Sequence, residues 1–86
     1  MTGGISMTVQ EAKKEIMHVI KDSTETELEI TEETNMFSDM GLSSVEVMVM
    51  LGELEDAFGI DIPAARLRRV RTVGDMCELV IQILTE

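Results

Sequence analysis

Three stretches of this chain repeat their apolar residues at helical spacing, and two connections separate them. Val9, Ala12, Ile16, Val19 and Ile20 form the first stripe. Val47, Met50, Leu51, Leu54 and Phe58 form the second, and Val73, Met76, Cys77, Val80 and Leu84 the third. Spacing of i, i+3, i+4 and i+7 lines such residues along one face of a helix. The pattern predicts helices near 8–21, 44–58 and 73–84, and no segment alternates as a strand would. Each stripe follows a Thr or Ser set three residues before an acid: Thr8 and Glu11, Ser43 and Glu46, Thr72 and Asp75. That is the capping-box pattern, looser in the third case, where Asp stands for Glu.

The connections are read from their breakers and charges. Gly59 suits a left-handed helix stop after Phe58, and Pro63 disfavours helix at the residue before it. "AARLRRV", 64–70, is expected to make one or two helical turns behind that proline. The other connection, 22–42, is long for a small domain. It carries Asp22, Glu25, Glu27, Glu29, Glu32 and Glu33 at its start. Leu28, Ile30, Met36, Phe37, Met40 and Leu42 are expected to pin it to the core as an ordered loop. The expected architecture is all-α: a four-helix bundle of three main helices and one short third helix. Residues 8–86 are read as a single domain behind a flexible leader, 1–7.

Two adjacent serines open the second helix. Ser43 as the cap would accept the Glu46 backbone N–H, and Glu46 would reach back to the Ser43 N–H. Ser44 then has no capping duty. Two readings of it stand on local sequence: a small polar residue in a first turn, or a hydroxyl set where helix N–H groups and the dipole favour a phosphate. On the helical wheel, Val45, Met48, Val49 and Gly52 fall outside the core stripe and make a second apolar strip beside Ser44. Glu46, Glu53 and Asp56 border it. This strip is read as a partner surface or, alternatively, as a seat for the long loop.

Composition narrows the chemistry. The 86 residues include 17 acids and 7 bases, a formal charge of −10, which argues against nucleic acid as the main partner. With two Phe, no Tyr and no Trp, the core must be aliphatic and rich in the eight Met, which serve as gap fillers or as an adaptable surface. Cys77 is the only cysteine, so no internal disulfide forms, in keeping with a reducing cytoplasm. No apolar run has the length of a membrane span and no signal-peptide pattern stands out. An independent catalyst is disfavoured: His18 and Cys77 lie far in sequence from Ser44, and His18 reads as a half-exposed helix residue, Cys77 as a buried small one. No catalytic residue and no metal site is assigned. Asp22 to Glu33 spans twelve residues, as a calcium loop would, but Glu27 stands where that loop needs Gly, and Thr24 and Thr26 where it needs ligands.

"DMGLSSVEVMVMLGELEDAFGIDIP", 39–63, resembles the acyl carrier protein signature. In that family a loop ending Asp-Leu-Gly-x-Asp-Ser-Leu opens helix II, which closes in Phe-Gly before Ile-x-Ile-Pro. Asp39, Met40, Gly41, Leu42, Ser43, Ser44 and Val45 take the opening positions, and Phe58, Gly59, Ile62 and Pro63 the closing ones. The resemblance spans nearly the whole chain. It implies that Ser44 receives 4′-phosphopantetheine from coenzyme A by way of a phosphopantetheinyl transferase, and that the arm holds acyl groups as thioesters. The protein is then a carrier, not a catalyst, and a monomer. Its partners would be acyl-loading, condensing and modifying enzymes of fatty acid, polyketide or related synthesis, with basic docking surfaces. Glu46, Glu53 and Asp56 would guide them electrostatically, and Val45, Met48 and Val49 would make apolar contact. Aminoacyl, peptidyl and D-alanyl carriers share the fold and the serine; an unmodified helical interaction module is the more distant alternative.

The chain departs from the family pattern in three places. Ser43 replaces the usual Asp, and Val45 the usual Leu. Arg66, Arg68, Arg69 and Arg71 put four positive charges within six residues where the family is commonly acidic. Residues 38–58 carry five acids and no base, so the two surfaces differ in sign. The arginines are expected either to pair with the loop acids or to alter partner choice.

Overall fold

All three capping boxes form, and each starts a helix where the sequence marks it. The computed structural model describes residues 7–86. Helix α1 runs Val9–Thr24, α2 Ser44–Phe58 and α3 Val73–Thr85, with a 3-10 helix, η1, over Ala64–Arg69. The expected leader lies outside the described residues except for Met7, which is exposed. Thr8, Ser43 and Thr72 are the caps, and in each box the side chains of both members accept backbone N–H groups. Asp75 has a shorter side chain than the usual Glu, yet its Oδ2 also accepts the N–H of Arg71 at 3.0 Å, which places it well for the Thr72 N–H at 3.1 Å.

Helix α1 continues three residues past its expected end at Lys21. No Gly or Pro stands there to stop it. The Thr24 hydroxyl donates to the Ile20 carbonyl at 2.7 Å, and Glu25 closes the helix in the left-handed region, at φ 52°. Helix α2 ends as expected on left-handed Gly59, whose N–H donates to the Glu55 carbonyl. Behind Pro63, η1 is held by i to i+3 bonds, Arg66 N–H to Pro63 O and Val70 N–H to Leu67 O, each 3.0 Å.

Helix α1 packs against both α2 and α3. The core between them is fully buried at Ile16, Ile20, Met50, Leu54, Val73, Met76 and Val80. Met36 joins it from the long connection, so three of the methionines (36, 50 and 76) fill core space. The stripe ends behave differently: Val9 and Leu84 are exposed and Phe58 is only partly buried, and the three line one open cleft.

The connection from Glu25 to Ser43 docks by its backbone. Asn35 and Thr72 form an antiparallel bridge. Met36 N–H donates to Arg71 O at 2.9 Å, Val73 N–H to Thr34 O at 2.9 Å and Gly74 N–H to Glu32 O at 2.8 Å. The loop thus supplies the acceptors that the first N–H groups of α3 lack. Lys13 pairs with Glu32 at 3.1 Å, tying the same stretch to α1. Ile30, Phe37, Met40 and Leu42 pack on the core as expected; Leu28 does not, and is 48% exposed. It lies ahead of the stretch that the α3 N–H groups draw in. Among the described residues there is no strand, and no helix is long and apolar enough to cross a membrane.

Candidate functional site

The site is built from the turn that leads into α2. Asn35 organises it: its Oδ1 accepts the N–H groups of Phe37 and Ser38, both at 2.9 Å, and its own N–H donates to Asp39 Oδ2 at 2.8 Å. Leu42 N–H donates to Met36 O at 3.0 Å, and Gly41 takes φ 70°, a conformation open to glycine at little cost. The chain therefore reaches Ser43 in a fixed direction.

Ser43 then acts as the cap. Its Oγ accepts the Glu46 N–H at 3.2 Å, and its N–H donates to Glu46 Oε1 at 2.9 Å. That N–H is the main cause holding the Glu46 carboxyl below its ordinary pKa, with the Ser43 hydroxyl second. Ser44 is the first residue of α2 and is exposed, its hydroxyl unused by the cap.

A cleft of about 500 Å³ opens beside it. Ser44, Val47 and Met48 line it from α2, Phe37 from the loop, and Ala64, Leu67, Arg68, Val70 and Arg71 from η1 and its exit. The floor is apolar and one rim is cationic. A second cleft, of about 420 Å³, lies where Phe58 faces Val9 and Leu84. At 1.5 Å per residue it is about 20 Å down α2 from Ser44.

The strip beside Ser44 is uncovered. Val45 is 72%, Met48 48% and Val49 61% exposed, so the long loop does not sit on it. Glu46, Glu53 and Asp56 are all exposed on the same helix. Glu55 instead serves the fold, since its Oε2 accepts the Ile62 N–H at 2.7 Å and holds the segment after Gly59.

The arginines do not pair with the loop acids. Arg66 meets the Glu86 carboxylate at 2.7 Å and Gln82 at 3.0 Å. Among the loop acids, Glu32 takes Lys13 instead. Arg71 Nη1 donates to the carbonyls of Arg68 and Val70, at 2.9 and 3.0 Å, and its guanidinium stands 5.9 Å from the Phe37 ring centroid. Arg68 and Arg69 are exposed and form no ion pair among the described residues.

Other candidates are not assembled into chemistry. His18 is exposed on α1. Cys77 is buried, and burial first, then the nearby Glu32 charge, pushes its thiol up to about 11, so it is no ready nucleophile. Asp22, the first residue of the would-be calcium loop, is still helical. Among the described residues no group of three or more His, Cys, Asp or Glu is placed to hold a metal.

Sequence reading singled out Ser44, the strip and the acids, but not the shared wall with Phe37, Leu67, Arg68 and Arg71. The arginines were visible as a charge run; their place beside Ser44 was not. Asn35 was also missed, although an Asn four residues before Asp39, in a loop free of Pro, is a local turn signal.

The family model described as a phosphopantetheine attachment site matches residues 14–80. An acyl carrier protein of Lactobacillus acidophilus is 34% identical over 70 residues, covering 80% of this chain and 88% of that one. A solved structure from Mycobacterium tuberculosis, described as an acyl carrier protein, superposes with a TM-score of 0.76 at 28% identity, covering 83% of this chain and 96% of that one.

Proposed function

The chain belongs to the acyl carrier proteins, the family with a phosphopantetheine attachment site, and from that premise we propose that Ser44 is the residue that carries the arm. As a family member it is a carrier, not an enzyme, and bears a covalently attached 4′-phosphopantetheine. When bound, the arm supplies a terminal thiol that holds acyl groups as thioesters.

The observation that carries the assignment is the division of labour between the serines. Ser43 closes the capping box, and Ser44 leaves an exposed hydroxyl on the wall of a cleft. The residues present fit the group: an apolar floor suits the arm's hydrocarbon parts and a cationic rim its phosphate. The transfer needs a phosphopantetheinyl transferase. The Ser44 Oγ–P bond forms as the pyrophosphate P–O bond of coenzyme A breaks, and 3′,5′-ADP leaves. The hydroxyl proton goes to a base of the transferase, since Glu46 is engaged with Ser43 and its basicity is lowered.

Residues 8–86 act as one carrier domain in this reading. Val45, Met48 and Val49 give synthesis enzymes an apolar seat, and Glu53 and Asp56 draw their basic surfaces toward Ser44. Glu46 belongs to this acidic face too, but its cap role makes it a poor probe of docking. The cargo is an acyl intermediate of fatty acid, polyketide or related synthesis. The arginines of η1, unusual beside the family signature, favour a specialised pathway with its own partner set. Tethering raises the local concentration of the intermediate at each partner's active site.

The test is the intact mass after incubation with coenzyme A and a broad-specificity transferase. The wild-type chain should gain one phosphopantetheine, and Ser44→Ala none. A folded wild-type chain that gains nothing, or a Ser44→Ala chain that still gains the mass, refutes the assignment. Reversing Glu53 and Asp56 together should slow acyl transfer to partners and leave the thermal midpoint unlowered; unchanged transfer kinetics would remove those acids from docking.

A further inference from the structure

We infer that Arg68 and Arg71 make the cleft beside Ser44 an anion-binding cleft, which pairs with the negatively charged group brought there on Ser44. The inference rests on Ser44 as the attachment position and adds a role that residue does not itself have.

Cations are scarce in this chain, with 7 bases against 17 acids. Two of them nevertheless line the cleft that holds Ser44, and no carboxylate does. Two other cations pair with acids, Lys13 with Glu32 and Arg66 with Glu86. Arg68 has no such partner among the described residues.

Arg71 is held in place without being used up. Nη1 spends its N–H groups on the carbonyls of Arg68 and Val70, and the Phe37 ring flanks the guanidinium. The Nη2 and Nε donors have no hydrogen-bond partner among the described residues. A guanidinium fixed in this way offers further N–H groups at low entropic cost, and its geometry matches phosphate or carboxylate oxygens. Asp75 is the nearest acid to consider. Its carboxylate is occupied by the backbone N–H groups of Arg71 and Thr72, so it offsets the Arg71 charge without occupying those donors.

Two sources supply such an anion: the phosphodiester at Ser44 Oγ, or a carboxylate on the carried acyl group. In either case the arm is drawn along the apolar floor of Phe37, Val47 and Leu67 when no enzyme is docked. The carrier thereby shields the start of its arm, and where the anion is a cargo carboxylate it also discriminates among cargoes by charge.

The experiment records the Nε–Hε signals of Arg68 and Arg71 by NMR in the full chain. Four forms are compared: without the arm, with it, and with the arm loaded with a butyryl or a succinyl group. Shifted signals and a hydrogen exchange slowed about two- to fivefold on attaching the arm, with no further change on loading, identify the phosphodiester. An exposed ion pair of up to ~1 kcal/mol sets that ceiling. Signals that move only in the succinyl form identify the cargo carboxylate. Either result supports the inference. Arg68→Gln, which leaves the carbonyl bonds of Arg71 intact, should reduce the effect at Arg71. Signals unmoved in all loaded forms, on a chain whose mass shows the arm, overturn the inference and leave Ser44 standing. A folded chain that takes up no arm overturns both.

Discussion

Two glycines in two helices should answer the same substitution with opposite signs. Gly52 lies within α2, and a Cβ built there meets no atom within 4 Å. Replacing it with Ala removes the backbone freedom that Gly retains in the unfolded chain, a gain of about 0.5–1 kcal/mol. Gly74 lies in the first turn of α3, where a Cβ would stand 2.8 Å from the Glu32 carbonyl oxygen and 3.1 Å from its Cβ. The nearest obstacle is backbone, and that same oxygen accepts the Gly74 N–H at 2.8 Å. The loop must retreat, so the bond is lost or stretched, which costs about 0.5–1.5 kcal/mol. The overpacking costs about 1–3 kcal/mol more. After the helix-propensity gain of about 0.5–1 kcal/mol is subtracted, Gly74→Ala should destabilise by about 0.5–4 kcal/mol. With a urea slope of about 1 kcal/mol per molar for so small a domain, its midpoint should fall by ~0.5–4 M, while Gly52→Ala rises by ~0.5–1 M. Thermal midpoints should separate in the same sense, at about 4–8 °C per kcal/mol. Urea and thermal unfolding by circular dichroism read both. A Gly74→Ala chain as stable as wild type would refute the docking of residues 32–36 on α3.

Ser43→Ala should cost ~1 kcal/mol in urea unfolding by removing the cap acceptor, while Ser44→Ala, outside the cap, should cost less; equal losses would contradict the split of roles. Glu46 has a folded pKa below its ordinary value, so its contribution to stability is present above the unfolded pKa and is lost as pH falls through the folded one. Glu46→Gln should therefore be less stable than wild type at neutral pH, with the gap closing as pH falls through the lowered folded pKa; a gap independent of pH would deny the charge its part. Cys77 should resist a thiol reagent in the native chain and react at the rate of unfolding, since it is buried with its pKa raised to about 11; fast labelling under native conditions would contradict its burial. With a net charge of −10, the thermal midpoint should rise from low to moderate salt as self-repulsion is screened, and a flat response would show the charges too dispersed to matter.

The helices, their caps and the choice of Ser43, not Ser44, as the cap of α2 were determined by the sequence alone. The reason is range: a capping box joins residues three apart, an apolar stripe repeats within one turn, and Gly59 acts on the helix it ends. Such interactions form wherever the segment lies, so they are readable without neighbours. What needed the tertiary structure was everything set by residues far apart. Val9 and Leu84 share the spacing of their stripes but end exposed, because the helix ends there leave a cleft between them, which spacing alone does not reveal. Leu28 is apolar like Met36, yet only Met36 lies where the N–H groups of α3 draw the loop onto the core. The arginine run was plain as charge. Only the placement of η1 across a cleft from the start of α2 decided that Arg68 and Arg71 would share that cleft with Ser44 and not a salt bridge with the loop.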